Sequence, residues 1–441
     1  MTKITGDDLI AAGYTAGPHF KQMLITANQA GRIDKEVLDK MAPAPVVVKH
    51  LEDGKPLSVF AHPETDEEIA NINVSRSSLH EVLRTPNTVR GALMPDACPA
   101  GPHGTIPVGG VVASTRIHPG MHSADVCCSV FRTSHRGSAE EVFNRYRSIT
   151  HFGGGGRNDD KFPLPKDLIE RIKGNSFTKK HLDAAKEHFG TQGDGNHFGV
   201  VGKVGPYSQL VTHHGSRGFG AGVFKDAMKI AEQHTSIVSP DTLKQNAWLP
   251  EDIEGEYWEA LMIIQEWTRL NHSAIHAKSR SSPTLVFNSI RGTFTPHNFV
   301  FRKRATPHLY YHAKGATPLW TSGVKLIPMN MRDGILIVTP HPYAPTGSMG
   351  FGPHGAGRNL SRTKFRNSGV KVDSGSTKAH FFSGYADVTE MPQAYKDVGS
   401  IVQSIKRDNL ATVLDVIEPK YSLMAGLQPW EVARMKKKGT L

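Results

Sequence analysis

The stretch from Met94 to Gly120, MPDACPAGPHGTIPVGGVVASTRIHPG, decides how the rest of the chain is read. Glycine and proline interrupt it every few residues, and between them stand β-branched Thr105, Ile106, Val108, Val111 and Val112. A helix would lose hydrogen bonds at each proline, so the segment predicts short strands and tight turns, a texture that runs from Leu93 to Val130. Further along, apolar β-branched runs recur at Leu285 to Asn288, Leu309 to Tyr311 and Ile335 to Thr339. Helical spacing marks Leu168 to Phe189, stopped by Gly190. It also marks a stripe of Tyr257, Leu261, Ile264, Trp267 and Leu270 or Asn271 behind Pro250, which reads as core, and Tyr395 to Ile405 after Pro392. The first 90 residues combine a short helix, with Thr5 and Asp8 at capping-box spacing, and an extended stretch from Pro45 to His50.

Length and composition narrow the class. At roughly 150 residues per domain, 441 residues allow about three domains. Hydrophobic residues at 38% and charged residues at 21% exclude collagen-like, coiled-coil and low-complexity chains. No run of 18 apolar residues occurs and the start lacks a secretory layout, so no membrane partner and a cytoplasmic location are expected. Cys98, Cys127 and Cys128 are too few for a disulfide framework and read as reduced thiols. The net charge of +11 favours a polyanionic partner such as nucleic acid or a nucleotide. Its basic clusters are Arg302 to Arg304, the group Arg358, Arg362, Lys364 and Arg366, and the tail Lys436 to Lys438.

Five Gly-rich or turn-like segments concentrate chemistry: Asp125-Val126-Cys127-Cys128, Gly193 to Phe198, His213 to Gly218, Pro296-His297-Asn298, and Pro353 to Arg358. Glycine beside histidine presents the ring to a ligand because no Cβ intervenes. Taken singly, each has a bland alternative: Cys128 as a small buried hydrophobe, His197 or His213 as a structural loop histidine, Arg358 as a surface residue on a glycine turn. Together, Asp125, Cys128, His197, His213 and His297 form the mixed O, N and S set that borderline divalent cations accept, oxygen favouring manganese and thiolate favouring zinc. His354 in HGAGR suits a nucleophile acting on a phosphate that Arg358 steadies. Gly153 to Gly156 is a weaker candidate for an anion nest. Ligands from 125 to 354 must meet at one place, so the expected architecture is α+β: a single catalytic unit of mixed and antiparallel β-sheets with peripheral helices over residues 1–441, residues 1–90 forming its N-terminal part.

In this order the segments resemble the hallmarks of the RtcB family of RNA-splicing ligases, from Met94-Pro95-Asp96 to Ala394-Tyr395-Lys396-Asp397. The resemblance implies an RtcB-like fold with metal ligands Asp125, Cys128, His197, His213 and His297, and His354 as the guanylylated nucleophile. It further implies phosphate and RNA contacts at Asn196, Arg217, Lys314, Arg358 and Arg362, and an acidic second-site role for Asp96. The implied activity joins RNA 3′-phosphate or 2′,3′-cyclic phosphate ends to 5′-hydroxyl ends in RNA repair or tRNA splicing. GTP and two Mn²⁺ ions would be its cofactors, and RNA, held through its backbone at broken ends, its partner.

Several positions depart from the family pattern. Cys127 and Ser129 replace glycines around the metal cysteine, Val200 and Ala425 stand where guanine-reading Glu and a C-terminal Lys are usual, and Pro328 to Arg332 replaces a P-G-S-M-G turn. His214 replaces a serine and reads as a phosphate contact or a surface histidine; residues 427–441 extend beyond the likeness. GTP preference is therefore left open. A metal-dependent RNA phosphodiesterase or cyclic phosphatase without nucleotide activation is the second reading, and an inactive RNA-binding paralogue the third. Oligomeric state is not legible.

Overall fold

The computed structural model describes residues 3–14, 17, 19–41, 47–157, 162–281 and 291–437; the apolar run Leu285 to Asn288, the start of the Pro45 stretch and Lys438 lie outside them. The chain divides into two compact units, Met1–Lys49 and His50–Leu441. In the first, helices Gly6–Ala11, Phe20–Ala30 and Lys35–Asp39 bury Leu9, Met23, Ala27 and Leu38. Its first helix carries the expected capping box, with the Thr5 hydroxyl accepting from Asp8 N–H and the Asp8 carboxylate accepting from Thr5 N–H.

The second unit is built on antiparallel sheets, as the α+β reading requires. One five-stranded sheet runs in the order Leu57–Val59, Thr88–Cys98, Val108–Ser114, Thr306–Lys314, Asn298–Lys303, antiparallel except for its first pair. The Met94 to Gly120 stretch thus supplies two of its central strands, with a 3₁₀ turn at Pro119–His122 after them. The larger sheet runs Lys325–Asn330, Gly334–Pro340, Ala411–Met424, Phe198–Val204, Tyr207–His214, Ser129–His135, Thr293–Pro296, all antiparallel. Lys378–Phe381 adds to it in parallel. A two-stranded pair, Ala316–Pro318 with Phe351–Pro353, completes the β-structure.

Helices surround these sheets. The stripe behind Pro250 lies in a helix from Glu251 to Lys278, and Tyr257, Leu261, Ile264 and Trp267 are fully buried in the largest core cluster. Each such side chain contributes roughly 1.5–3 kcal/mol by leaving water. The helix after Pro392 spans Val398–Arg407 and is capped by Asp397, whose carboxylate accepts from Ser400 N–H. The continuous helix expected from Leu168 to Phe189 is instead two, Lys166–Gly174 and Leu182–Glu187. Asn175 divides them, its side-chain oxygen accepting from Phe177 and Thr178 N–H and so offering the backbone an alternative to the helical ladder. Helices Asp66–Leu83 and Arg217–Val238 were not foreseen. Among the described residues, no helix is long and apolar enough to cross a membrane.

Candidate active site

Strand register assembles the site. Phe198 pairs with His213, Val130 with His213, and Ser129 with Pro296, so His197, His213, Cys128 and His297 line up across one end of four adjacent strands. Neighbouring strands lie about 4.8 Å apart, close enough for side chains at that end to share a cation. Asp125 joins from the turn before Cys128, where Cys128 N–H donates to Asp125 O at 3.2 Å. Room for its carboxylate comes from Gly215: a Cβ there would lie 1.9 Å from Asp125 Oδ1.

The hydrogen bonds fix which imidazole nitrogens face inward. His197 Nδ1 is 2.7 Å from Gln192 O and His213 Nδ1 is 3.1 Å from Asn196 O. A carbonyl only accepts, so these nitrogens carry the protons and the Nε2 lone pairs point into the cluster. There His213 Nε2 lies 3.1 Å from Cys128 Sγ and 3.1 Å from His297 Nε2, while His197 Nε2 lies 3.6 Å from the same sulfur and 3.1 Å from Asp125 Oδ2. Converging lone pairs of this kind are what a divalent cation neutralises. The donor atoms form two triplets, Cys128 with His213 and His297, and Asp125 with Cys128 and His197, each within 4.8 Å and sharing Cys128.

Electrostatics agree with the donor set. Burial pushes the His213 imidazole down to about 3 and His297 well below its ordinary range, so both are neutral donors near pH 7. Burial, joined by the Asp125 charge, pushes the Cys128 thiol well up. For Asp125 burial works upward, but His197, the Cys128 thiol and His213 together hold the carboxyl below its usual range. A bound cation would displace the thiol proton, coupling metal affinity to pH.

His354 stands beside this cluster, its ring centroid 4.8 Å from that of His297. It follows the strand Phe351–Pro353 and is held from a different sheet by Asp96, which is fully buried. Asp96 sits where the register of Thr88–Cys98 jumps between Leu93 and Cys98, an irregularity that re-aims a side chain. Its Oδ2 accepts from His354 Nδ1–H at 2.6 Å, His354 N–H at 3.0 Å and Gly355 N–H at 3.1 Å. The close approach needs Gly357, at φ 71°, where a Cβ would lie 2.1 Å from Asp96 O. With Nδ1 engaged, Nε2 is the ring nitrogen left to react.

A cavity opens next to His354, and Asn196, Arg358 and Arg362 line it. Arg358 donates to Leu360 O and Thr389 O, with Nη2 unpartnered among the described residues. Arg362 pairs with buried Glu390, whose other oxygen accepts from Tyr395 OH at 2.6 Å. Phe198, Val200, Met329 and Met331 form an apolar wall, so two of the departures from the family pattern, Val200 and the turn from Pro328 to Arg332, border one cavity. Lys314 donates to Ile106 O at 3.3 Å and burial pushes its amine down to about 8. Arg217 donates to Gly153 O at 2.9 Å, which ties the first of the four glycines to a structural contact. Glu390 and Ser422, which also line the cavity, carried no sequence signal.

Other expectations are corrected. His214 is neither exposed nor directed at a phosphate: it is fully buried and stacked on His272 at 3.5 Å, because it ends a central strand facing a helix. Cys127 takes a positive φ of 59° and buries its thiol in the core. In the basic cluster Arg302 to Arg304, Arg302 and Arg304 stay exposed, Arg302 lying over Trp258 and Tyr310, while Lys303 is half-buried over Tyr311 and Trp320.

The fold and site define a mixed α/β protein with a thiol, imidazole and carboxylate cluster fitted to divalent cations. The chain belongs to the RtcB family: the family model described as tRNA-splicing ligase RtcB matches residues 143–424. RNA-splicing ligase RtcB2 of Escherichia coli is 23% identical over 407 residues, covering 84% of this chain and 97% of that protein. The tRNA-splicing ligases RtcB of Archaeoglobus fulgidus and Nanoarchaeum equitans are each 26% identical, over 347 and 277 residues, covering 65% and 49% of this chain and 70% and 56% of theirs. The family match begins after Asp96, Asp125 and Cys128, so those three enter the site through geometry.

Proposed function

We propose that this chain is an RNA ligase that joins RNA 3′-phosphate or 2′,3′-cyclic phosphate ends to 5′-hydroxyl ends through a nucleotidyl-histidine at His354, in RNA repair or tRNA splicing. The observation that carries the reading is the His354 ring, fixed through Nδ1 by Asp96 and set beside the Cys128 and His297 cluster. Asp125, Cys128, His197, His213 and His297 would hold divalent cations such as Mn²⁺, which when bound would offset phosphate charge and orient oxygens.

His354 Nε2 attacks the α-phosphorus of a nucleoside triphosphate, the bond to the β-phosphate oxygen breaks, and pyrophosphate leaves. Asp96 steadies the ring as it gains positive character. A cyclic end is first opened by water, which breaks the bond from phosphorus to the 2′-oxygen and leaves a 3′-phosphate; an oxygen of the 3′-phosphate then displaces His354, leaving that end joined to the nucleotide through a pyrophosphate. The 5′-hydroxyl attacks this activated phosphorus, loses its proton and releases the nucleoside monophosphate. Arg358 and Arg362 are suited to hold phosphates by charge-assisted hydrogen bonds, contacts that carry no base sequence.

A second reading, metal-dependent opening of a cyclic phosphate without nucleotide, is favoured by the apolar wall at Val200, Met329 and Met331, where among the described residues the only lining carboxylate, Glu390, is already paired. One assay separates the two. RNA ending in a 2′,3′-cyclic phosphate is incubated with a 5′-hydroxyl RNA, Mn²⁺, and GTP, ATP or neither. Nucleotide-dependent joining supports the ligase; ring opening alone, equal with and without nucleotide, supports the phosphodiesterase.

A further inference from the structure

The strand Ser129–His135 begins at the cluster and ends, six residue steps away, at a second cavity lined by His135, Arg136, Arg145, Tyr207 and Arg280. At about 3.3 Å per residue the two sites are roughly 20 Å apart along the strand. Three guanidiniums border this cavity and, among the described residues, no carboxylate lines it. Arg145 donates through Nε to Ser279 O, whereas the guanidiniums of Arg136 and Arg280 have no hydrogen bond or ion pair among the described residues. Glu141, on the helix that carries Arg145, is taken by the N–H of Ser138.

The one nearly buried histidine of this cavity is set from within. Ser129 Oγ lies 3.2 Å from His272 Nε2, and His272 Nδ1 2.7 Å from Thr212 Oγ1. Thr212 Oγ1 lies 2.8 Å from His276 Nε2, His276 Nδ1 2.7 Å from Thr133 Oγ1, and Thr133 Oγ1 2.7 Å from His135 Nε2. This chain occupies His135 Nε2 and leaves Nδ1 over, in a side chain that is 6% exposed. The unpartnered guanidiniums of Arg136 and Arg280, with Arg145 beside a fixed imidazole and a phenol, make an anion site: their forked N–H groups match phosphate oxygens.

We propose that this cavity binds a backbone phosphate of the RNA strand whose end lies at the metal-type cluster. The proposal rests on the RNA-ligase reading for its ligand. The site then acts as a ruler: an RNA long enough to reach it is held at both places, a shorter one at the cluster alone. Arg136 and Arg280 touch neither the cluster nor His354.

The test compares the parent with the paired variants Arg136→Ala with Arg280→Ala, and Arg136→Lys with Arg280→Lys. Fluorescence anisotropy would follow a tetranucleotide and a dodecanucleotide RNA, each with a 3′-phosphate, across a salt series. The expected result for the alanine pair is about tenfold weaker binding of the dodecanucleotide, with the logarithmic salt slope reduced by about one per arginine. Tetranucleotide binding, metal content and thermal midpoint stay unchanged, and the lysine pair restores most of the slope. Unchanged dodecanucleotide affinity and slope overturn the proposal, as does an equal loss for both lengths, which marks a general field effect. Failure of His354 to take up a nucleotide label would sink the ligase reading while leaving this binding result to be read by itself.

Discussion

The Nδ1 atom of His354 lies 2.6 Å from Oδ2 of Asp96, and the same oxygen accepts the main-chain N–H groups of His354 and Gly355. One buried carboxylate thus fixes both the ring and the turn that carries it. Asp96→Asn keeps the shape and removes the charge that steadies the ring during attack. The expected outcome is a loss of about 10²- to 10⁴-fold in the rate of nucleotide transfer to His354, with metal content unchanged. Single-turnover labelling across a pH series checks it; a parent-like rate would mean that Asp96 only supports the fold.

Cys128 belongs to both donor triplets, whereas Asp125 and His297 belong to one each. On the proposed reading of one cation per triplet, Cys128→Ala is expected to bind no Mn²⁺, and Asp125→Asn or His297→Ala to retain one ion more than that variant. Elemental analysis after dialysis reads the stoichiometry directly. Equal retention in all three variants would count against a shared sulfur.

Acid sensitivity should follow from buried histidines outside the donor set. Burial pushes His118 and His122 down to about 4. His118 N–H donates to His312 Nε2 at 2.9 Å, so protonating His312 there breaks a buried contact. These rings are neutral when folded and take a proton near pH 6.5 when unfolded, so stability is lost as pH falls from about 6.5 toward 4. Each contributes a slope of about 1.4 kcal/mol per pH unit in that window. Urea unfolding of chelator-treated protein at pH 7.5 and 5 measures it, and equal stability at both would refute the assignment.

Among the described residues, the cavity walled by Phe198, Val200, Met329 and Met331 offers guanine's N–H groups no free carboxylate, since Glu390 is paired with Arg362. A site built to hydrogen-bond a base discriminates by about 10⁴-fold, and an apolar one by about 10- to 200-fold at most. ATP and GTP should thus label the protein at rates within the smaller range. Measuring both initial rates decides this; strict GTP dependence would show that a group outside the wall reads the base.

How far the sequence carried depended on the kind of signal. The α+β class was legible because Met94 to Gly120 cannot be helical and the Tyr257 to Trp267 stripe can hardly be anything else. Ligand-type residues were legible as types in glycine turns, but their convergence depends on cross-strand pairs such as Phe198 with His213, which no local pattern encodes. His214 was misread because its neighbours Gly215 and Ser216 suggest a loop, while pairing with Ser129 buries it in the sheet. Helix Arg217–Val238 was missed because it starts inside the glycine-rich segment and its first residue, Arg217, has a positive φ of 57°. Asn175, as a helix divider, acts through a side-chain hydrogen bond that period counting ignores.

The most direct measurement is mass spectrometry of the protein after incubation with Mn²⁺ and a nucleoside triphosphate labelled at the α-phosphate. The account predicts one acid-labile nucleoside monophosphate on His354, formed with release of pyrophosphate and absent from His354→Ala. A protein that binds the metal and RNA yet carries no such adduct with any nucleotide, or carries it on another residue, would contradict it.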